Sequence, residues 1–172
     1  MNLEYFINRF FRNRDVFTAL MTDVAPEQAR WKPAPDKWSI LEVVNHLYDE
    51  EREDFRQRLE LVLADPSQPF PPIDPRGWVT SRNYLGRELG ESLNRFLKER
   101  EKSLAWLQQL SSPDWANSNQ GANGILKAGD LLASWLAHDF LHIRQITRLH
   151  FQYAGFISKP YQTAYAGPWQ ES

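Results

Sequence analysis

The chain has 172 residues, of which 42% are hydrophobic and 24% charged, proportions that suit one globular domain with its own core and exclude a fibre or a disordered tail. Twenty basic and twenty-two acidic side chains are interspersed and leave a net charge of −2, with no lysine- or arginine-rich run, which excludes a nucleic-acid partner held by a basic face. There is no cysteine, so disulfides, thiolate metal ligands and a cysteine nucleophile are excluded together, and any metal must take nitrogen or oxygen ligands.

The N-terminal stretch is amphipathic and charged, without the apolar core of a signal peptide. No run approaches the roughly 20 apolar residues of a membrane span, and the expectation is a cytoplasmic protein with no membrane partner. Leu3, Phe6, Ile7, Phe10, Phe17, Leu20 and Met21 recur at three- and four-residue intervals and predict a first helix from about Leu3 to Met21. Pro26, Pro33 and Pro35 follow, and the segment around them reads as a loop because proline disfavours helical backbone at the residue before it.

Ser39 stands three residues before Glu42, the spacing of a capping box, and starts a second helix. Its stripe of Ile40, Leu41, Val44, Leu47, Phe55, Leu59 and Val62 continues to Ala64, where Asp65-Pro66 stops it. About 25 residues is long for a globular helix and suggests a bundle. Five prolines, Pro66, Pro69, Pro71, Pro72 and Pro75, then mark a long connection reaching about Arg82, which is a crossover or a lid.

Leu85, Leu89, Leu93, Phe96, Leu97, Arg100, Leu104, Leu107 and Leu110 give a third helix, closed by Ser111-Ser112-Pro113. A loop rich in Asn and Gly is expected from Asp114 to about Lys127. A fourth helix follows, whose Leu131, Leu132, Trp135, Leu136, Leu141, Ile143, Ile146 and Leu149 cover more than one face, as a central helix requires. No strand-like alternation competes. The expected fold is all-α, a four-helix bundle with a long Pro-rich connection between its second and third helices, in one domain over 1–172. Apolar side chains left on outer helix faces give the further expectation of a homodimer.

Four histidines occur in the chain. His138 and His142 are four residues apart on the fourth helix, about 40° apart in direction and one turn in height, a spacing that lets two imidazoles converge on one ion. Taken alone, an HxxxH pair is weak, because the same spacing arises by chance in many helices. His46 lies early in the second helix on its inward side. His150 is two turns beyond His142 and about 80° off, poorly placed to share an ion. The stretch His138-Asp139-Phe140-Leu141-His142 departs from the zinc-protease helix pattern by carrying Asp139 where a glutamate base belongs.

Trp38-Ser39-Ile40, His46 seven residues after Ser39, and His138-Asp139-x-x-His142-x-x-Gln145-Ile146 together resemble the DinB-like (damage-inducible) family of bacterial proteins. The resemblance runs from the Pro-rich segment before Trp38 through the last helix. It implies a four-helix bundle holding a divalent metal, zinc or nickel, on His46, His138 and His142.

Three neutral imidazoles leave such an ion its full charge and an open position, which is catalytic coordination. Glu50 shares the face of His46 and is an expected base, fourth ligand or supporting group, while Asp49 and Glu53 read as a solvated acidic face. Gln145, about 20° from the direction of His138, is an expected hydrogen-bond partner of a ligand or substrate, and Asp139, pointing about 100° away, an orienting group outside the coordination shell. Relatives of the family include transferases that use a low-molecular-weight thiol, which implies a small-molecule or thiol partner. A transferase should have an open pocket lined by the loops around Trp78 and Arg82. The rival readings are a metal-binding stress or interaction module, its fourth position closed by Glu50, and a metal-dependent hydrolase.

Overall fold

The computed structural model describes residues 1–121 and 124–170. Its helices are α1 (Leu3–Met21), α2 (Pro26–Arg30), α3 (Ile40–Glu50), α4 (Arg56–Ala64), α5 (Pro75–Ser81), α6 (Leu89–Gln109) and α7 (Ala128–Ile157). Between α3 and α4 the segment Glu51–Phe55 is a π-helical turn, so 40–64 is one continuous helical rod. The four long members α1, α3–α4, α6 and α7 pack against one another as the bundle.

Each start has a local cause. The Asn2 side chain accepts from the Tyr5 amide and caps α1. At α3 both halves of the capping box are made: Ser39 Oγ accepts from the Glu42 amide at 3.2 Å, and Glu42 Oε2 from the Ser39 amide at 2.8 Å. Lys32 holds the second oxygen of the same carboxylate at 2.7 Å and ties the preceding loop to the cap.

The structure differs from the sequence expectation at four places. The first proline loop contains the short helix α2, and the second contains α5, because each begins with a proline at the first helical position, where the missing N–H is not needed. The third long helix starts at Leu89, after a separate 3₁₀ turn over Tyr84–Gly86. The loop expected over 114–127 carries a two-stranded antiparallel hairpin, β1 (Ser118–Gly121) and β2 (Gly124–Lys127), pairing Ser118 with Lys127 and Gly121 with Gly124. Ala122 and Asn123 of that loop lie outside the described residues.

The bundle interior has two apolar clusters. One gathers Phe17, Leu47, Phe96 and Ile146, and the other Phe10, Leu59, Leu104 and Leu136. Every long helix contributes to both, and every one places a polar side chain between its two contributions. Asn13 lies between Phe10 and Phe17, Glu51 between Leu47 and Leu59, Arg100 between Phe96 and Leu104, and Asp139 between Leu136 and Ile146. This buried polar layer, with the histidines beside it, positions the site.

Candidate metal centre

Helices α3 and α7 bring the three histidines together. His138 Nε2 lies 3.3 Å from His46 Nε2 and 3.0 Å from His142 Nε2. Among the described residues these three form a cluster able to hold a metal ion, with one ligand atom from each within 4.8 Å of the others, and no carboxylate joins it. Trp38 packs its ring 4.9 Å from that of His46, and Phe55 packs 5.0 Å from His138. The Trp-Ser-Ile motif is thereby accounted for: Trp38 covers His46, Ser39 caps its helix, and Ile40 enters the core.

All three imidazoles are neutral near pH 7. Burial, then the neighbouring His142, draws His46 down to about 3. Burial, then His142, His46 and Arg100, draws His138 to about 2. His142 is also lowered by burial, against the opposing pull of Gln145 and Asp139. Lone pairs are therefore available to an ion without proton release.

The donor set fits a divalent metal. Two nitrogens each about 2.0–2.1 Å from one ion stand about 3.3–3.4 Å apart at the tetrahedral angle and about 2.9 Å apart at a right angle. The separations of 3.3 and 3.0 Å, both measured from His138, match that spacing, and the three ligand atoms lie within 4.8 Å of one another. Hydrogen bonding among the rings alone does not explain it, since His138 Nε2 faces two nitrogens and carries at most one proton. Gln145 Oε1 lies 2.8 Å from His142 Nδ1 and accepts its proton, leaving His142 Nε2 as a bare lone pair.

Glu50 sits behind His46, not on the converging side. Its Oε1 is 4.0 Å from His46 Nδ1, too far for a hydrogen bond, and both atoms are buried without a partner. A carboxyl group on this side of a ligand imidazole is placed as the supporting groups of metal-binding histidines are. Burial, then the adjacent Asp54, raises Glu50 to about 8, so it carries a proton at neutral pH and donates it toward Asp54, whose carboxylate pairs with Arg58 at 2.7 Å.

The remaining acidic groups are held elsewhere. Asp139 is fully buried and accepts from Arg100 at 2.7 Å through each oxygen and from Asn13 at 3.0 Å. Asp49 is not part of a solvated face. It is 2% exposed and receives Tyr84 Oη at 2.5 Å, Arg82 at 2.7 Å and Arg52 at 3.0 Å, because the connection after α4 folds back over it. Glu53 is half-buried and pairs with Arg82 at 2.7 Å, the π turn having displaced it from the line of His46 and Glu50. Arg82, stacked 4.2 Å over Trp78, is thus engaged by carboxylates, and clefts lie along α7. His150 serves the fold: its nitrogens meet Gln28 at 2.8 Å and the Leu20 carbonyl at 2.7 Å.

Sequence reasoning missed the group under the site. Arg100 is 1% exposed and bridges Glu51, at 2.8 and 2.9 Å, to Asp139. Trp135 Nε1 donates to Glu51 at 2.9 Å. The signal was present: an arginine inside an apolar stripe, and Asn13 between Phe10 and Phe17, are polar residues on core faces and require buried partners.

No curated protein matches the chain. Among solved structures it is similar to YfiT from Bacillus subtilis, described as a probable metal-dependent hydrolase with an unusual four-helix bundle topology. The TM-score is 0.79 at 18% identity, over 88% of this chain and 87% of that one, so the two share a fold. The family model of the DinB superfamily matches residues 9–146, across α1 to α7 and all three clustered histidines, and the chain belongs to that superfamily.

Proposed function

We propose that this protein is a metal-dependent enzyme that activates a small thiol and transfers it to an electrophile, with zinc or nickel held by His46, His138 and His142. The observation that carries the reading is the convergence of three neutral Nε2 atoms with no carboxylate among them. A divalent ion bound there supplies Lewis-acid activation, lowering the pKa of a thiol or a water from its solution value.

The arrangement of carboxylates favours a thiol over water. Activated water in hydrolysis is usually served by a general base beside it. Here Glu50 stands behind His46, Asp139 is locked between Arg100 and Asn13, and Asp49 is engaged by Tyr84, Arg82 and Arg52. A thiol, with an ordinary pKa near 8.5, needs less help to ionise. In the transfer its sulfur bonds to the electrophilic carbon, the leaving group departs with its electron pair, and the thiol proton passes to solvent. Gln145 fixes the tautomer of His142, and Trp38 and Phe55 hold the other two rings and keep water from their faces.

Hydrolysis is the second reading, favoured by the structural similarity to YfiT. The test uses protein purified without a histidine tag, loaded with zinc or nickel, and incubated with a haloaromatic electrophile and a thiol panel. A thioether that disappears on chelation supports transfer. Cleavage of ester or amide substrates without thiol moves the assignment to hydrolysis, and neither activity with tightly held metal moves it to a binding module.

A further inference from the structure

The layer that carries Arg100 has complete hydrogen bonds and an incomplete charge balance. Arg100 donates through Nε and one terminal nitrogen to Glu51, at 2.8 and 2.9 Å, and through both terminal nitrogens to Asp139, at 2.7 Å each. Trp135 Nε1 adds a bond to Glu51, and the Asn13 amide adds one to Asp139. All four carboxylate oxygens thus accept from N–H groups, which is the bonding of the ionised form. Two carboxylates face one guanidinium, and the surplus negative charge is sealed among side chains no more than 2% exposed.

Among the described residues, Arg100 is the one cation paired with either carboxylate. Neighbouring groups balance: Asp49 and Glu53 meet Arg52 and Arg82, and Asp54 meets Arg58. A buried charge without an opposite one is costly, so the surplus calls for a cation close by. The histidine cluster has the converse need, since three neutral imidazoles leave a bound divalent ion its full charge and no carboxylate joins them.

We propose that the Glu51–Arg100–Asp139 layer is the counter-charge of the metal centre, its surplus negative charge holding the divalent ion from outside the ligand shell and moderating the ion's pull on anions. The inference rests on the metal-binding part of the reading above and not on thiol transfer. Asp139 directly follows His138 and lies three residues before His142, on the same side of α7. Phe55 touches both groups, packing 5.0 Å from the His138 ring and stacking 6.0 Å from that of Trp135. Behind the dominant effect of burial, Asp139 opposes the lowering of His142 and Arg100 adds to that of His138, so the layer's charges are felt at the ligands. Charges buried this way are little screened by salt.

The test measures cation and anion binding on full-length protein near pH 7. Cobalt affinity is read by competition with a chelator, and azide affinity by visible absorption at saturating cobalt. Asp139→Asn removes the surplus with little change of shape, and Glu51→Gln does so independently from the other side of Arg100. Each should weaken cobalt about tenfold and tighten azide on the bound cobalt about threefold, because a doubly charged ion feels a lost charge twice as strongly as a singly charged anion. A purely structural role cannot give these opposite signs, since ligands knocked out of place weaken cobalt without tightening azide. The exchanged pair, Asn13→Asp with Asp139→Asn, returns the charge to the layer and should bring cobalt affinity to within about threefold of the native protein. Cobalt affinity unchanged in both single variants, or azide weakened along with cobalt, overturns the proposal. So does an exchanged pair no better than Asp139→Asn alone. Native protein that takes up no cobalt removes the metal reading and this proposal together. The predicted opposite shifts in a protein that transfers no thiol support the counter-charge and overturn the thiol reading alone.

Discussion

Two buried polar groups lie side by side between the apolar halves of this bundle, and they differ in how their atoms are satisfied. In the Arg100 group, the guanidinium, both carboxylates, the Trp135 indole and the Asn13 amide all meet partners within the protein. In the histidine group three imidazole nitrogens cluster around His138 Nε2, at 3.3 Å from His46 and 3.0 Å from His142, and His46 Nδ1 and Glu50 Oε1 behind them have no partner. Burial without internal satisfaction costs free energy, so a group left that way is built for something that arrives from outside. The first group holds the helices in register and the second waits on a ligand. The two are adjacent in sequence as well as in space: Asp139 follows His138, and Glu51 follows Glu50.

The contrast breaks most severely at Arg100. Arg100→Met leaves Glu51 and Asp139 buried with no opposing charge, and removing one partner of such a network costs about 3–5 kcal/mol. Chemical denaturation of metal-free protein should show a loss of that size. A loss under 1 kcal/mol would mean that the network is not holding the fold.

The histidines should behave in the opposite way. At a zinc concentration a hundredfold above its dissociation constant, stabilisation of about 2.7 kcal/mol raises the melting temperature by roughly 5–10 °C for a chain of this length. His142→Ala should abolish that rise while changing the melting temperature of chelated protein by much less. An undiminished zinc response in the variant removes His142 from the site.

How far each group could be read in advance follows from the range of its interactions. Local ones were legible: the stripe of Leu3 to Met21 became α1, the Ser39 and Glu42 pair became the cap of α3, and the spacing of His138 and His142 placed them on one face. The π turn at Glu51–Phe55 was not, since a single widened turn leaves no mark on a 3.6-residue pattern. Asp49 looked solvent-facing because its partner Tyr84 lies 35 residues on, across a Pro-rich connection. Arg100 stood in plain view inside an apolar stripe, but its partners Glu51 and Asp139 are 49 and 39 residues away. The hairpin over 118–127 has too short an alternation to announce itself.

Acid should separate the two groups further. The three histidines have folded pKa values below the unfolded value near 6.5, so their contribution is present above that value and is lost as pH falls. Glu50 is raised to about 8, so its contribution is present at low pH and is lost as pH rises from about 4.5 toward 8. Between about pH 4.5 and 6.5 the unfolded chain gains the imidazole protons of His46 and His138, with His142 adding in the same direction, against the one that folded Glu50 retains. Stability of metal-free protein therefore climbs with pH in that window, by about 1.4 kcal/mol per unit for each unmatched proton. Above 6.5 only Glu50 acts, and stability declines. A melting-temperature maximum near pH 6.5 is the expected profile, and Glu50→Gln should remove the alkaline limb alone.

The smallest effect expected is at Gln145, and it separates a ligand's support from a ligand. Its Oε1 accepts from His142 Nδ1, while Nε2 points toward His138. Gln145→Ala keeps all three donors but frees the ring of His142 to rotate and to protonate the wrong nitrogen. Changes of this kind cost about 10–100-fold in metal affinity, or roughly 1.4–2.7 kcal/mol. Competition with a chelator should place Gln145→Ala between the native protein and His142→Ala. Gln145→Glu, which still accepts from Nδ1, should recover most of the loss. If Gln145→Ala binds zinc as tightly as the native protein, the tautomer of His142 is fixed by the ion itself, and the contrast between a satisfied framework and an unsatisfied site extends one residue further than the hydrogen bond suggests.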